Sequence, residues 1–476
     1  MKKEKSVTSS KKVSKNAVIK AILVITVLLA GIGFAMAAWD DTKSTGDTLT
    51  ASEWNAMVNN QKSRINSVTL VVAASDSSSQ SKAAANYVCD GTDDQVEINN
   101  AISALPSYGG TVRLMEGTYR ISGAINAVSN LVLEGCGWEN TKLLMRYSDS
   151  AIDLLGYDNI TIRDIEIDGD NRAYVSGTNN EIIDGTGNED VTIEHIYIHD
   201  CGTAYGIELW NAKRLRILNS KFTRIGNTAD SDPISIQESE DVTISGNYVY
   251  DNVYEYRAGA IEVQDGSGKI IITNNHVSKS QGGLSLTVHN AGEHNTEFIV
   301  ADNIIEVYNV DLETNTGHIY PYGISMQGIS DTPATRYIIT GNIINANVDN
   351  HNAVANVGIS VKYANGAVIS SNIINNIATN QENGNYGIYI GDNVANTTIS
   401  SNLCMNCYYA GIKLEGSNIE DIIITDNRCG GSEIGIDIVN GDYLIIRQNN
   451  CRGNSVDGVN VTTGQNSNGI EGDNLE

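Results

Sequence analysis

From Tyr205 onward one two-part phrase recurs, and nothing else in the chain restricts its fold as strongly. The first part is a small residue, an aliphatic, a variable residue and a second aliphatic, as in Gly206-Ile207-Glu208-Leu209, Pro233-Ile234-Ser235-Ile236 and Ala260-Ile261-Glu262-Val263. Ten such rungs run to Gly458-Val459-Asn460-Val461. The second part is an aliphatic, two turn residues and an Asn, giving a column at Asn247, Asn275, Asn303, Asn342, Asn372, Asn402, Asn427 and Asn449, at intervals of 28, 28, 39, 30, 30, 25 and 22 residues. A recurrence on this scale marks a stack of coils, each of which buries its core only against its neighbours. Alternation at period two sends Ile207 and Leu209 inward and Glu208 outward, and coils about 4.8 Å apart would align the aliphatics in buried columns. The Asn column is expected in tight turns, because Asn tolerates left-handed backbone angles and its amide can bond the turn and the Asn above and below. Cys404, Cys429 and Cys451 each follow a ladder Asn by two residues on the inward parity, as a small apolar column or a disulfide between stacked coils.

Composition agrees: 45 Gly against 4 Pro and 3 Phe suits many short strands and poorly suits a helical bundle. Residues 1–38 stand apart. Seven Lys precede an uncharged apolar run from Ala21 to Ala38 that ends in Ala35-Met36-Ala37, which reads as an export signal, either cleaved or kept as a membrane anchor. Residues 1–37 hold seven Lys and one Glu of the chain's 31 basic and 57 acidic residues, so the remainder carries a net charge of −32. Such a surface repels nucleic acid, which is excluded as a partner, and leaves the membrane to the N-terminal segment alone. Seven Cys are too few and too scattered for a disulfide scaffold or a zinc site.

Residues 39–68 read as a short helical linker in which Trp54, Met57 and Val58 share one side, able to pack on the solenoid or to mediate self-association. Residues 69–110 read as a cap. Asp90-Gly91-Thr92-Asp93-Asp94 leads into a helix from Gln95 to Leu105 with Val96, Ile98, Ile102 and Leu105 as its apolar stripe behind a good N-cap, ended by Pro106 and Gly109-Gly110. Coils then fill residues 111–476, with Thr161-Ile162-Arg163-Asp164-Ile165 and Thr192-Ile193-Glu194-His195-Ile196 carrying Ile where later coils carry Asn.

The stretch Asp90-Gly91-Thr92-Asp93-Asp94, Ala101-Ile102, Gly109-Gly110-Thr111-Val112 and Glu116-Gly117-Thr118-Tyr119 resembles the capping segment of pectin lyase-like proteins, and the following coils resemble those of polygalacturonases, pectate lyases, alginate epimerases and NosD-like proteins. The resemblance implies an all-β right-handed parallel β-helix with an N-terminal capping helix. It further implies a secreted or cell-surface protein whose partner is a polysaccharide or surface glycan, bound along the outer face of the sheet made by the first phrase. The glycines before each inward Ile would leave room for a sugar chain against the backbone.

On that face Glu208 and Glu262 lie two coils apart, about 9 to 10 Å at the backbone, with Asp232 starting the strand between them. A pair so spaced leaves room for a water, as inverting glycoside hydrolysis requires. Glu208, Asp232 and Glu262 are therefore the candidate catalytic residues. Tyr205 and Trp210 offer rings to stack on sugars, Gln237 and Gln264 follow adjacent rungs, and Arg257 would neutralise an acidic substrate, making these five the candidate binding residues. A hydrolase needs no cofactor. A β-elimination lyase would use Ca²⁺, for which Asp230, Asp232 and Asp265 are the candidate ligands. The polygalacturonase pattern fails where Ala258-Gly259 replaces the paired Asp, where Gln281-Gly282-Gly283 replaces Gly-His-Gly, and at Ser325 and Gln327. Two functions therefore compete: a polysaccharide hydrolase or lyase, and a non-catalytic adhesin or structural stalk.

Overall fold

The computed structural model describes residues 68–147, 150–170, 181–201, 205–226, 232–252, 259–280, 282–308, 322–347, 356–377, 385–462, 470–472 and 474, and the structural statements below concern these. The export segment and the linker helix lie outside them. The chain divides into Met1–Ile65 and Asn66–Glu476, and only the second unit is described.

Three parallel sheets wind together. The first has 16 strands, the second 12 and the third 13, and along each sheet the neighbours are strands from successive coils. One coil shows the plan: Ile207–Trp210 lies in sheet three, Arg216–Leu218 in sheet one, Lys221–Ile225 in sheet two, and Ile234–Gln237 returns to sheet three one layer on. The first phrase is thus sheet three. The second phrase is the strand of sheet one and the corner into sheet two.

That corner explains the Asn column, with one correction. The left-handed residue is the one before each ladder Asn, such as Gly246 (φ 70°), Asn274 (57°), Asp302 (56°) and Ser371 (57°), and not the Asn itself. The ladder Asn points inward and is buried. From Asn275 on, each side-chain oxygen accepts from the backbone N–H and the side-chain amide of the Asn one coil earlier, at 2.9–3.1 Å from Asn303 to Asn342. The side-chain amide also donates to a backbone carbonyl one coil back, Asn342 Nδ2 to Val300 O at 2.9 Å. The ladder begins with Ser220, whose hydroxyl accepts from Ile196 N, and runs past the eighth Asn to Asn474, whose Oδ1 accepts from Asn449. A second, shorter ladder stands at the corner between sheets three and one, where Ser239, Ser267 and Asn295 accept in turn from Ala212, Ser239 and Ser267.

The glycine rungs also take a different meaning. A Cβ on Gly283 would lie 1.9 Å from Gly323 O and 2.9 Å from Ile305 Cγ2, and one on Gly411 would lie 2.7 Å from Cys429 Cβ. These positions face the next coil and the core, so the missing side chain is required for stacking and does not open a floor for a ligand. The Cys column is buried and its thiols are free, with Cys404 paired in register to Cys429.

At the N-terminal end, strand Val68–Ala73 already belongs to sheet one, beside Gly110–Leu114. Helix α1 spans Ser79–Ala84 and helix α2 Gln95–Ser103. Ile98, Ala101 and Ile102 of α2 are buried over the first coils, whereas Val96 is 49% exposed and lies off the predicted stripe. Asp94 makes no side-chain bond to its own helix. Its carboxylate instead accepts from Gly91 N at 2.8 Å and Arg120 N at 2.7 Å, which ties the loop to the first coil.

Replacing Asn342 by Ala removes the acceptor for two buried donors on Asn303, and should cost about 2–4 kcal/mol. Asn474→Ala, at the half-buried end of the same ladder, should cost about 1 kcal/mol or less. Urea denaturation with an unchanged m-value checks the contrast, and equal losses would count against a ladder that depends on burial.

Candidate functional site

Strand register confirms one continuous outward column on sheet three. Asp153, Asp184, Glu208, Ser235, Glu262, Ser285, Ser325, Ser360, Tyr389, Lys413, Asp437 and Asn460 follow one another as direct cross-strand neighbours. Trp210, Gln237, Gln264 and Thr287 form the next outward column, two residues further along the same strands. Three of the five candidate binding residues therefore stand side by side.

Glu208 is only 7% exposed although it faces outward. Its Oε1 accepts from Gln237 Nε2 at 3.0 Å, across adjacent coils. Burial, then a hydrogen bond to and repulsion from the neighbouring Glu181, push its pKa up to about 8, while the Trp210 side chain pulls the other way and the Asp184 charge adds a further rise. The charged form of a carboxyl is disfavoured both by burial and by a second carboxylate beside it, so both causes act on Glu208 in the same direction.

Two coils on, Glu262 Oε1 accepts from Ser285 Oγ at 3.0 Å and Thr287 Oγ1 at 3.4 Å. Tyr322 shares a hydrogen bond with Ser285, and burial, then the charges of Glu262 and Asp232, drive its hydroxyl far above the ordinary tyrosine range. Asp232 is 3% exposed, close to Gly259 and Ser285. Glu208, Asp232 and Glu262 thus share one face, with Tyr322 as an additional member. Tyr205 is half-buried, and its carbonyl accepts from Ile182 N. Arg257 and Asp230 lie outside the described residues.

Of the proposed calcium ligands Asp230 lies outside the described residues, and Asp232 and Asp265 stand apart. Asp232 starts its strand, whereas Asp265 follows the end of the next, on the order of 15–20 Å away at 3.3 Å per residue. Asp265 also has its oxygens engaged by His289 N (2.6 Å), Asn290 N (3.1 Å) and Asn290 Nδ2 (2.9 Å), which makes it a turn anchor. Among the described residues, Glu166, Asp168 and His199 on sheet two do have metal-like proximity, but the Lys142 ammonium sits at 2.7 Å from Glu166 and 3.0 Å from Asp168 and supplies the cation.

Sequence reasoning missed Glu181, Asp184 and Tyr322. Ile183-Asp184-Gly185 is a rung in which Gly fills the second inward position, and that break in the pattern hid it. Tyr322 starts the strand Tyr322–Gln327, directly before the rung Gly323-Ile324-Ser325-Met326. Glu181 had no signal, since it lies before its strand in a segment without periodicity.

These three wound sheets and the corner ladder define a right-handed parallel β-helix protein. The family described as a right handed beta helix region matches residues 122–305. The preneck appendage protein of Bacillus phage PZA is 24% identical over 230 residues, 42% of this chain and 26% of that protein. The chain thus spans about a quarter of the length of the curated relatives it matches. Among solved structures, a mutant tailspike protein of E. coli bacteriophage HK620 in complex with hexasaccharide has a TM-score of 0.60 at 12% identity, over 79% of this chain and 76% of that one. The catalytic unit of a GH87 α-1,3-glucanase from Streptomyces thermodiastaticus has a TM-score of 0.54 at 13% identity, over 80% of this chain and 65% of that one. Likeness at these identities carries the fold.

Folding raises the Glu208 pKa from 4.5 to about 8, so the native chain keeps a proton that the unfolded chain releases. The associated stability is complete below about pH 4.5 and is lost as pH rises to about 8, at no more than about 1.4 kcal/mol per unit. Glu208→Gln should flatten that decline in denaturation midpoints measured from pH 5 to 8.5. An unchanged slope would show that Glu208 is not the group that takes the proton.

Proposed function

We propose that the chain is an extracytoplasmic polysaccharide-active protein whose site is the outer face of sheet three around Glu208, Asp232 and Glu262. One observation carries this reading: a carboxylic acid with its pKa raised to about 8 stands two coils from a second carboxylate held by hydroxyl donors. In a hydrolase, Glu208 donates its proton to the glycosidic oxygen as the bond to the anomeric carbon breaks, and Glu262 draws a proton from the water that attacks that carbon. Gln237 orients Glu208, and the Trp210 ring, 36% exposed, offers a stacking plane. The oligosaccharide in the tailspike structure and the glucanase activity named for the other neighbour lend support from proteins of the same fold.

A second reading, a non-catalytic adhesin or stalk, draws on the depth of Asp232, Glu208 and Gln237, which are 3%, 7% and 6% exposed.

The test incubates the full chain with neutral and acidic polysaccharides, with and without Ca²⁺, following reducing ends and the absorbance of unsaturated products. Glu208→Gln should lower turnover by about 10²–10⁴-fold with glycan binding retained. Activity that persists in both Glu208→Gln and Glu262→Gln would remove this site. Binding without turnover on every substrate would establish the second reading.

A further inference from the structure

Sheet one carries an outer surface that the sheet-three site does not use. Its outward column Thr243, Ile271, Ile299, Ile338, Val368 and Thr398 is in direct cross-strand register, and the four aliphatics at its centre are 39–42% exposed. An exposed apolar ladder of that length on a chain of net charge −26 calls for a partner. Two residues earlier on each strand runs a second outward column in which the sign alternates coil by coil: Asp190, Arg214, Asp241, Lys269, Glu297, Arg336. All six adopt left-handed backbone angles of 54–60°. A shallow cleft of about 490 Å³ lies between the two columns.

We propose that the outer face of sheet one is the interface of an antiparallel dimer of this chain, with a two-fold axis between the coils of Glu297 and Arg336. That axis brings each coil onto one coil of the second copy, and the side chains it brings together are complementary along the charged column from Arg214 to Asp421 and at the centre of the aliphatic column. Within one chain Arg336 already pairs with Glu297 at 3.0 Å and Arg214 with Glu189 and Asp190 at 2.7 and 2.8 Å; across the axis each gains a second partner, Glu297 facing Arg336 of the second copy and Arg214 facing Asp421, which occupies the same column three coils beyond Arg336. Lys269 meets Gly366 and Asp241 meets Asn396, so no like charges oppose. In the aliphatic column Ile299 meets Ile338 and Ile271 meets Val368, which places the apolar contact at the centre. In the third outward column Ala301 meets Thr340 and Thr273 meets Ser370, and at its limits Glu194 meets Arg447. An isologous contact demands this self-complementarity. From the Arg214 coil to the Asp421 coil the face is about 34 Å long at 4.8 Å per coil, and about 16 Å wide for five residues at 3.3 Å. Both copies together would bury roughly 1,100 Å², at the lower end of specific interfaces.

Sedimentation equilibrium of the full chain, in a mild detergent that covers the apolar segment 21–38, reads the state. A dimer is expected, with Ile338→Asp raising its dissociation constant at least 100-fold and leaving the far-ultraviolet circular dichroism spectrum unchanged, since Ile338 is exposed in the single chain. Arg214 and Asp421 are seven coils apart within one chain, so their pairing can arise only between copies. R214D and D421R should each weaken the dimer about 10-fold, and the R214D/D421R double variant should restore it. A monomer at all concentrations, or association that ignores Ile338→Asp, overturns the interface. A dimer sensitive to Ile338→Asp that the double variant fails to restore overturns the antiparallel arrangement.

Discussion

The corner between sheets one and two sets the terms for the rest of the molecule. A chain that turns there in two residues leaves inward-pointing backbone groups that water cannot reach, and unpaired buried amides cost too much to tolerate. A side-chain amide solves the problem because it offers both acceptor and donors at one position. Its oxygen takes the backbone N–H of the coil before, and its nitrogen returns a bond to a carbonyl, as Asn342 does for Asn303 and Val300. Once this is fixed, the coil spacing is fixed. The aliphatic columns then fall into contact, and a Cβ at Gly283 or Gly411 has no space.

Because the constraint is local and periodic, much of the fold was legible in the sequence. The aliphatic rungs placed all ten outward residues from Glu208 to Asn460 in their observed order, since a period of two leaves one choice of face. The ladder was read to Asn449. Asn474 escaped because it follows the last rung, where no further repeat exists to reveal the spacing. The glycines were misread for a physical reason: a missing side chain is as useful for close coil packing as for ligand access, and only the position of the neighbouring carbonyl distinguishes the two. Val96 was misplaced because a helix of only nine residues buries a narrower stripe, Ile98, Ala101 and Ile102, than periodicity suggests.

The candidate site was less legible. Sequence could place Glu208 and Glu262 on one face, because that follows from register. It could not show that Glu208 shares its surroundings with Glu181, since that contact joins a strand to a segment without pattern. The separation of Asp232 from Asp265 was hidden for the converse reason. Asp232 and Asp265 are near in the alignment of rungs, yet a strand length separates them, and Asp265 is occupied in holding the turn at His289 and Asn290.

The coils differ greatly in length yet not in pitch. The interval between ladder residues is 39 from Asn303 to Asn342 and 22 from Asn427 to Asn449, and the ladder bond is the same in both, 2.9 to 3.0 Å between side chains. Length is therefore a free variable of each coil and pitch is not. Such a scaffold can acquire a new fringe of loops beside sheet three by insertion, one coil at a time, without disturbing the hydroxyls and carboxylates already aligned there. Diversification of what the face recognises is in this sense decoupled from the inheritance of the rod that displays it.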